Sequence, residues 1–182
     1  MKILVVVDCQ EDFISGSLGS KEAQAIVPNV IEKIKNLAED DVLIFTQDEH
    51  CESEYLLTQE GINLPIKHCI SNSDGIKIHS DILKAADDIG KCYGVHHKNS
   101  FGSFELGEGL CAYIKEYDVE EIEFVGLCTD ICVITNVLIA KTCVPETKIV
   151  VDASCCAGVT PESHKAALTV MKSCQIKVIN EH

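Results

Sequence analysis

The feature that most constrains this chain is the alternation of short, β-branched apolar runs with longer amphipathic ones. Six short runs read as strands: Ile3 to Val7, Val42 to Thr46, Tyr93 to His97, Ile122 to Gly126, Lys148 to Asp152 and Gln175 to Ile179. Between them, Glu22 to Ala38 repeats apolar residues at Ala23, Ile26, Val27, Val30, Ile31, Ile34 and Leu37, the spacing of one helical face. Phe104 to Glu116, Thr129 to Thr142 and Pro161 to Ser173 repeat that pattern, the last with Thr160 as N-cap and Pro161 at the first helical position. Nearly continuous apolar strands are covered on both faces, and strands separated by helices need crossover connections. The spacing therefore predicts an α/β fold, a three-layer α/β/α sandwich on a six-stranded, mostly parallel sheet. A chain of 182 residues suits one such domain, spanning 1–182.

Sheets of this kind bind ligands outside the carboxyl ends of their strands. Those ends carry Asp8, Asp48 with His50, Lys98 and the segment leading to Cys132. One stretch, Glu49 to Ser80, breaks the alternation with turn formers at Gly61, Pro65, Asn72 and Gly75, and long irregular excursions at strand ends are commonly functional.

Charge narrows the partners. Lys plus Arg total 15 against 29 Asp plus Glu, a net charge of −14, which disfavours nucleic acid and anionic membrane surfaces. Met1 leads directly into the first strand without an export signal, and no apolar stretch approaches bilayer length, so a cytoplasmic location is expected. The eleven cysteines are odd in number and contain no CxxC pair, so reduced thiols, mostly small buried hydrophobes, are expected.

At the end of the first strand, Asp8 is followed by no glycine, which disfavours a dinucleotide site. A carboxylate at a buried strand tip has a raised pKa and can carry protons, although Asp also caps turns. Cys132 falls in the first turn of a helix, where amides and dipole favour a thiolate and can hold an oxyanion, with Cys128 as the alternative thiol. Asp48 and His50, at i and i+2 in extended chain, share a face as two metal ligands would, and His68 and Glu60 lie in the excursion that follows. Such ligands suit Zn, Mn or Fe; taken separately, each is equally a solvated side chain.

Laid end to end, these segments resemble the isochorismatase-like cysteine hydrolases, and within them the nicotinamidase branch, over nearly the whole chain. The resemblance rests on D-x-x-x-D-F at Asp8, Asp12 and Phe13, D-x-H at Asp48 and His50, and H-C at His68 and Cys69. Lys98 with Phe101 and Phe104, and G-x-x-T-D-x-C-V from Gly126 to Val133, complete it. It implies Cys132 as nucleophile, Asp8 as proton carrier and Lys98 as the cation between them. It also implies an oxyanion hole from the backbone amides of Cys128 and Cys132, with a cis peptide before Cys128. One divalent metal, Zn first, with Mn or Fe as alternatives, would be held by Asp48, His50 and His68, joined in some members by a carboxylate at the place of Glu60. Phe13 and Phe104 would wall the substrate. The activity implied is hydrolysis of a small amide, nicotinamide to nicotinate and ammonia through a Cys132 thioester, in a homo-oligomer. The chain has no Trp, although many nicotinamidases place one around the ring, which leaves another amide or carbamoyl substrate open. A third class, a thiol-rich redox or metal-binding protein, is disfavoured by the ordered placement of Asp8, Lys98 and Cys132.

Overall fold

A computed structural model describes residues 1–181. Its elements follow the chain as β1 (Lys2–Val7), α1 (Glu11–Ile14), α2 (Lys21–Lys35), β2 (Val42–Asp48), α3 (Gln59–Asn63), α4 (Ser80–Asp88) and β3 (Tyr93–Lys98). The second half adds α5 (Phe104–Glu116), β4 (Glu121–Leu127), α6 (Ile134–Cys143), β5 (Lys148–Ala157), α7 (Pro161–Ser173) and β6 (Lys177–Ile179). The six strands form one sheet in the order β3-β2-β1-β4-β5-β6, and every neighbouring pair is parallel. The fold is thus an α/β three-layer sandwich.

The strand period of two divides β1 between two cores. Ile3, Val5 and Val7 pack with Leu110 of α5, Val137 of α6 and Leu168 of α7, whereas Leu4 and Val6 pack with Val30 and Ile34 of α2 and Ile82 of α4. All these side chains are buried, and each contributes about 1.5–3 kcal/mol relative to an exposed position. The helices linking β1 to β2 and β2 to β3 therefore cover one face, and those following β3, β4 and β5 cover the other. The winding reverses between β1 and β4, and the crevice at that switch point receives Asp8 and the residues after Leu127.

Gly126 makes this junction possible. Its φ is +117°, and a Cβ there would lie 2.1 Å from the Val7 carbonyl oxygen, so no other residue fits between β1 and β5. Beyond it the strands run further than the apolar pattern indicates. β5 continues from Asp152 to Ala157 because small residues can follow the shifted register, in which Gly126 and Leu127 pair with Cys156 and Ala157. α1 and α4 also lie outside the sequence-based helices. α4 is anchored by Ile82, Ala85 and Ala86, a helical spacing too short to stand out beside its acidic end. The excursion after β2 is not wholly irregular: it holds a short helical turn at Tyr55–Leu57 and α3. No helix among the described residues is long and apolar enough to cross a membrane.

Candidate active site

The ends of β2 and β4 line one cavity of about 1010 Å³, and the ends of β1 and β3 place Asp8 and Lys98 behind its lining. Asp8, fully buried just past β1, adopts a left-handed φ of +46°, a conformation costing about 1–3 kcal/mol for a non-glycine residue that persists only where its surroundings enforce it. Thr46 of β2 enforces it, with its hydroxyl donating to Asp8 Oδ1 at 2.6 Å and its oxygen atoms accepting from the Asp8 amide. The Lys98 ammonium at the end of β3 lies 2.7 Å from Asp8 Oδ2, 3.5 Å from Asp48 Oδ1 and 3.7 Å from Cys132 Sγ. Apart from the ion pair with Lys98, Asp8 Oδ2 has no hydrogen-bond partner.

The electrostatics follow from that packing. Burial pushes the Asp8 carboxyl above its ordinary range and outweighs the nearby Lys98 cation. Burial also opposes charge on Lys98, but Asp8, Cys132 and Asp48 together hold its ammonium above the usual lysine value. The Cys132 thiol is driven up by burial and then by Asp8, with Lys98 as the opposing influence. The first turn was expected to favour a thiolate; burial acts in the opposite direction on this thiol, so it needs a proton acceptor. Lys98 touches both Asp8 and Cys132, which puts Asp8 beside the thiol as that acceptor.

Cys132 sits not in an α-helical turn but in a wider one, Thr129–Val133, in which the Val133 amide donates to the Cys128 carbonyl five residues back at 3.0 Å. α6 starts only after it. The Leu127–Cys128 peptide is cis. Three side chains hold this turn: Thr129 and Asp130 of the motif, and Asn136 beyond it. Asn136, fully buried, donates to the Cys132 carbonyl at 2.8 Å and accepts from the Ser103 amide at 2.9 Å. Thr129 Oγ1 meets His164 Nδ1 of α7 at 2.8 Å, and the Asp130 carboxylate accepts from the Val159 amide at 3.0 Å.

Beside the thiol, Asp48, His50, Glu60 and His68 each present one ligand atom, and these four atoms lie within 4.8 Å of one another. His50 Nε2 is 2.7 Å from Asp48 Oδ2, and His68 Nε2 is 3.4 Å from both Asp48 Oδ2 and Glu60 Oε1. His68 Nδ1 faces the Ile66 carbonyl at 3.0 Å, the outer contact that orients a metal-binding imidazole. Burial opposes charge on His68, yet Asp48 and Glu60 push it up to about 10. Burial would raise Asp48, but hydrogen bonds from both histidines and the Lys98 charge hold it below the usual carboxylate range. Two carboxylates that draw this much positive charge suit a divalent cation, and the set of two nitrogens and two oxygens fits Zn, Mn or Fe.

Phe13 lines the cavity and tilts against His68 at 5.4 Å between centroids. Phe104, expected to wall the substrate, does not line it: as the first residue of α5 it is 80% exposed, and Phe101, three residues earlier, lines the cavity instead. Tyr55, Asp12 and Gln10 also contribute, of which only Asp12 belongs to a motif. Tyr55 is buried edge-on against both histidines and donates its hydroxyl to the Leu64 carbonyl at 2.8 Å. Asp12 accepts from the Cys69 amide at 2.8 Å and so fixes the residue after His68. Gln10 is fully buried, donates at 2.8 Å to the carbonyls of Asp48 and Ile76, and accepts from the Asp48 amide at 2.8 Å. A buried amide side chain two residues after a strand-end aspartate is the one signal that marks it beforehand. Gln10→Glu keeps the acceptor but turns a carboxylate toward two carbonyls. It should weaken Zn²⁺ binding about 10–100-fold by calorimetric titration, and unchanged affinity would remove Gln10 from the positioning of Asp48.

The family follows from this fold and this site: the isochorismatase domain model matches residues 2–182, and the chain belongs to that family. Among curated relatives it is 25% identical to a nicotinamidase/pyrazinamidase of Mycobacterium tuberculosis, over 98% of each chain. Among solved structures it superposes on a nicotinamidase/pyrazinamidase of Bacillus subtilis with a TM-score of 0.83 at 24% identity, covering 97% of this chain and 98% of that one. It also superposes on a pyrazinamidase of Pyrococcus horikoshii in complex with zinc with a TM-score of 0.77 at 25% identity, covering 99% of each.

Proposed function

We propose that this protein is a metal-dependent cysteine amidohydrolase that converts nicotinamide to nicotinate and ammonia. The observation that carries the reading is the convergence, at one cavity, of Cys132, backed by the buried Asp8–Lys98 pair, with the Asp48, His50, Glu60 and His68 ligand set. Asp8 accepts the thiol proton, Lys98 stabilises the resulting thiolate, and Cys132 Sγ bonds to the amide carbon. The backbone amides of Cys128 and Cys132 stabilise the oxyanion. As the carbon–nitrogen bond breaks, Asp8 returns the proton to the leaving nitrogen and ammonia departs. Asp8 then takes a proton from water, which attacks the thioester, releasing the acid and restoring the thiol. A divalent cation held by the four ligands would orient a heteroaromatic ring nitrogen and polarise water.

The test is ammonia release by zinc-reconstituted protein from nicotinamide, pyrazinamide, N-carbamoyl amines and aliphatic amides, with nicotinamide expected to lead. His50→Ala should release the metal and lose nicotinamide turnover, while peptide-resolved alkylation still modifies Cys132, because Asp8 and Lys98 govern the thiol. Protein that binds no Zn, Mn or Fe and still cleaves amides would overturn the metal-dependent reading.

The eleven cysteines, all unpaired among the described residues, support work in a reducing cytoplasm. Exposed Leu57 (79%) and Ile62 (61%), both on the excursion, support a homo-oligomer. Light scattering is expected to show a dimer or larger, and a monomer at every concentration would exclude it. The acidic surface supports a small-molecule partner rather than nucleic acid or membrane.

A further inference from the structure

We propose that the cavity takes carboxamides whose aryl or alkyl body extends past a single ring and bears no negative charge. This deepens the amidohydrolase reading and rests on it. The first observation is size. At about 1010 Å³ the cavity stands at the upper end of the ~300–1,000 Å³ typical of sites for drug-sized ligands, far more than one ring with a carboxamide fills. Apolar side chains beyond the reacting residues come from three separate segments: Leu18 before α2 with Ala23 in its first turn, Leu64 after α3, and Val159 after β5. Leu64 is half-buried and Val159 is exposed, so this surface runs outward to the mouth. The chain contains no Trp to close it.

The second observation is charge. Among the described residues lining the cavity are four carboxylates, Asp48, Glu49, Glu54 and Glu60, and no lysine or arginine. The chain has no arginine at all. Lys98 lies behind the lining, held by Asp8 and Asp48. Asp48 and Glu60 would offset the charge of a bound divalent cation, which leaves Glu49 and Glu54 to set the potential at the mouth. Glu49 is anchored there by hydrogen bonds from Ser71 and His97, each 2.8 Å long. An anionic substituent reaching the mouth would be desolvated beside Glu49 and Glu54 with no lysine or arginine to pair with.

The experiment compares ring-substituted nicotinamides (phenyl, butyl, aminomethyl and carboxylate) with the parent amide. It measures kcat/KM on zinc-loaded protein and dissociation constants, by calorimetry, on zinc-loaded Cys132→Ala protein. The phenyl and butyl amides should match or exceed the parent in both measurements, and the carboxylate should fall about a hundredfold below it. Leu64→Trp and Val159→Trp should each lower the phenyl-to-parent ratio about tenfold. A parent amide that is cleaved while both apolar derivatives bind and react more than tenfold worse would overturn the proposal, as would a carboxylate equal to the parent. Protein that neither binds nor cleaves any member overturns the amidohydrolase reading itself.

Discussion

Replacing Cys132 with alanine should abolish amide hydrolysis, with kcat falling about 10⁴- to 10⁶-fold, because Cys132 is the cavity thiol that Lys98 contacts. Stability should change by only about 1 kcal/mol, since the change removes one sulfur atom from the buried cluster and leaves the Cβ in place. Cys128→Ala provides the contrast: its proposed contribution is a backbone amide, which alanine keeps, so a loss of less than about tenfold is expected. Steady-state ammonia release and thermal melting on both variants decide the matter. Equal collapse of the two would assign the nucleophile wrongly, and a reversed order would move it to Cys128.

Lys98→Met should fail on two counts. Lys98 is the cation shared by two buried carboxylates, so its removal leaves Asp8 buried without a counter-charge while Asp48 keeps only its histidines, a loss of about 3–5 kcal/mol by denaturant unfolding. The sign with pH is fixed by direction: the Lys98 ammonium is held above its unfolded value of 10.5, so its stabilising effect is fully present below that pH and is lost only as pH rises through the folded value. The variant therefore forfeits it across the whole neutral range. Lys98 also lowers both Asp8 and Cys132. Without it the acidic limb of kcat/KM and the onset of Cys132 alkylation should both move to higher pH. An unshifted profile in a variant that still folds would show that the lysine only fills space.

How much of this was legible beforehand depended on how local each determinant is. The six strands and four of the helices follow from period alone, because burial of one face or both is written in residue spacing. α4 escaped because Ile82, Ala85 and Ala86 make a single helical turn of pattern, and β5 ran past Asp152 because Ser154 and the neighbouring small residues carry no alternation. Phe104 looked like Phe101 to any composition argument. They differ only in that Phe104 opens α5 and turns outward, while Phe101 remains in the loop that passes the cavity.

By itself the sequence determined the layers, the parallel sheet and the kind of chemistry, since the strand-end residues Asp8, Asp48, His50, Lys98 and Cys132 stand out against apolar runs. Only the tertiary structure decided how those groups are charged and held. The thiol is raised because α6 and the sheet bury it, and no residue type near Cys132 encodes that burial. Gln10 reaches Asp48 across 38 residues and Ile76 across 66, and Thr46 fixes Asp8 across 38. Such contacts arise from which strands become neighbours, and a hydrogen bond has no sequence period of its own by which it could be read.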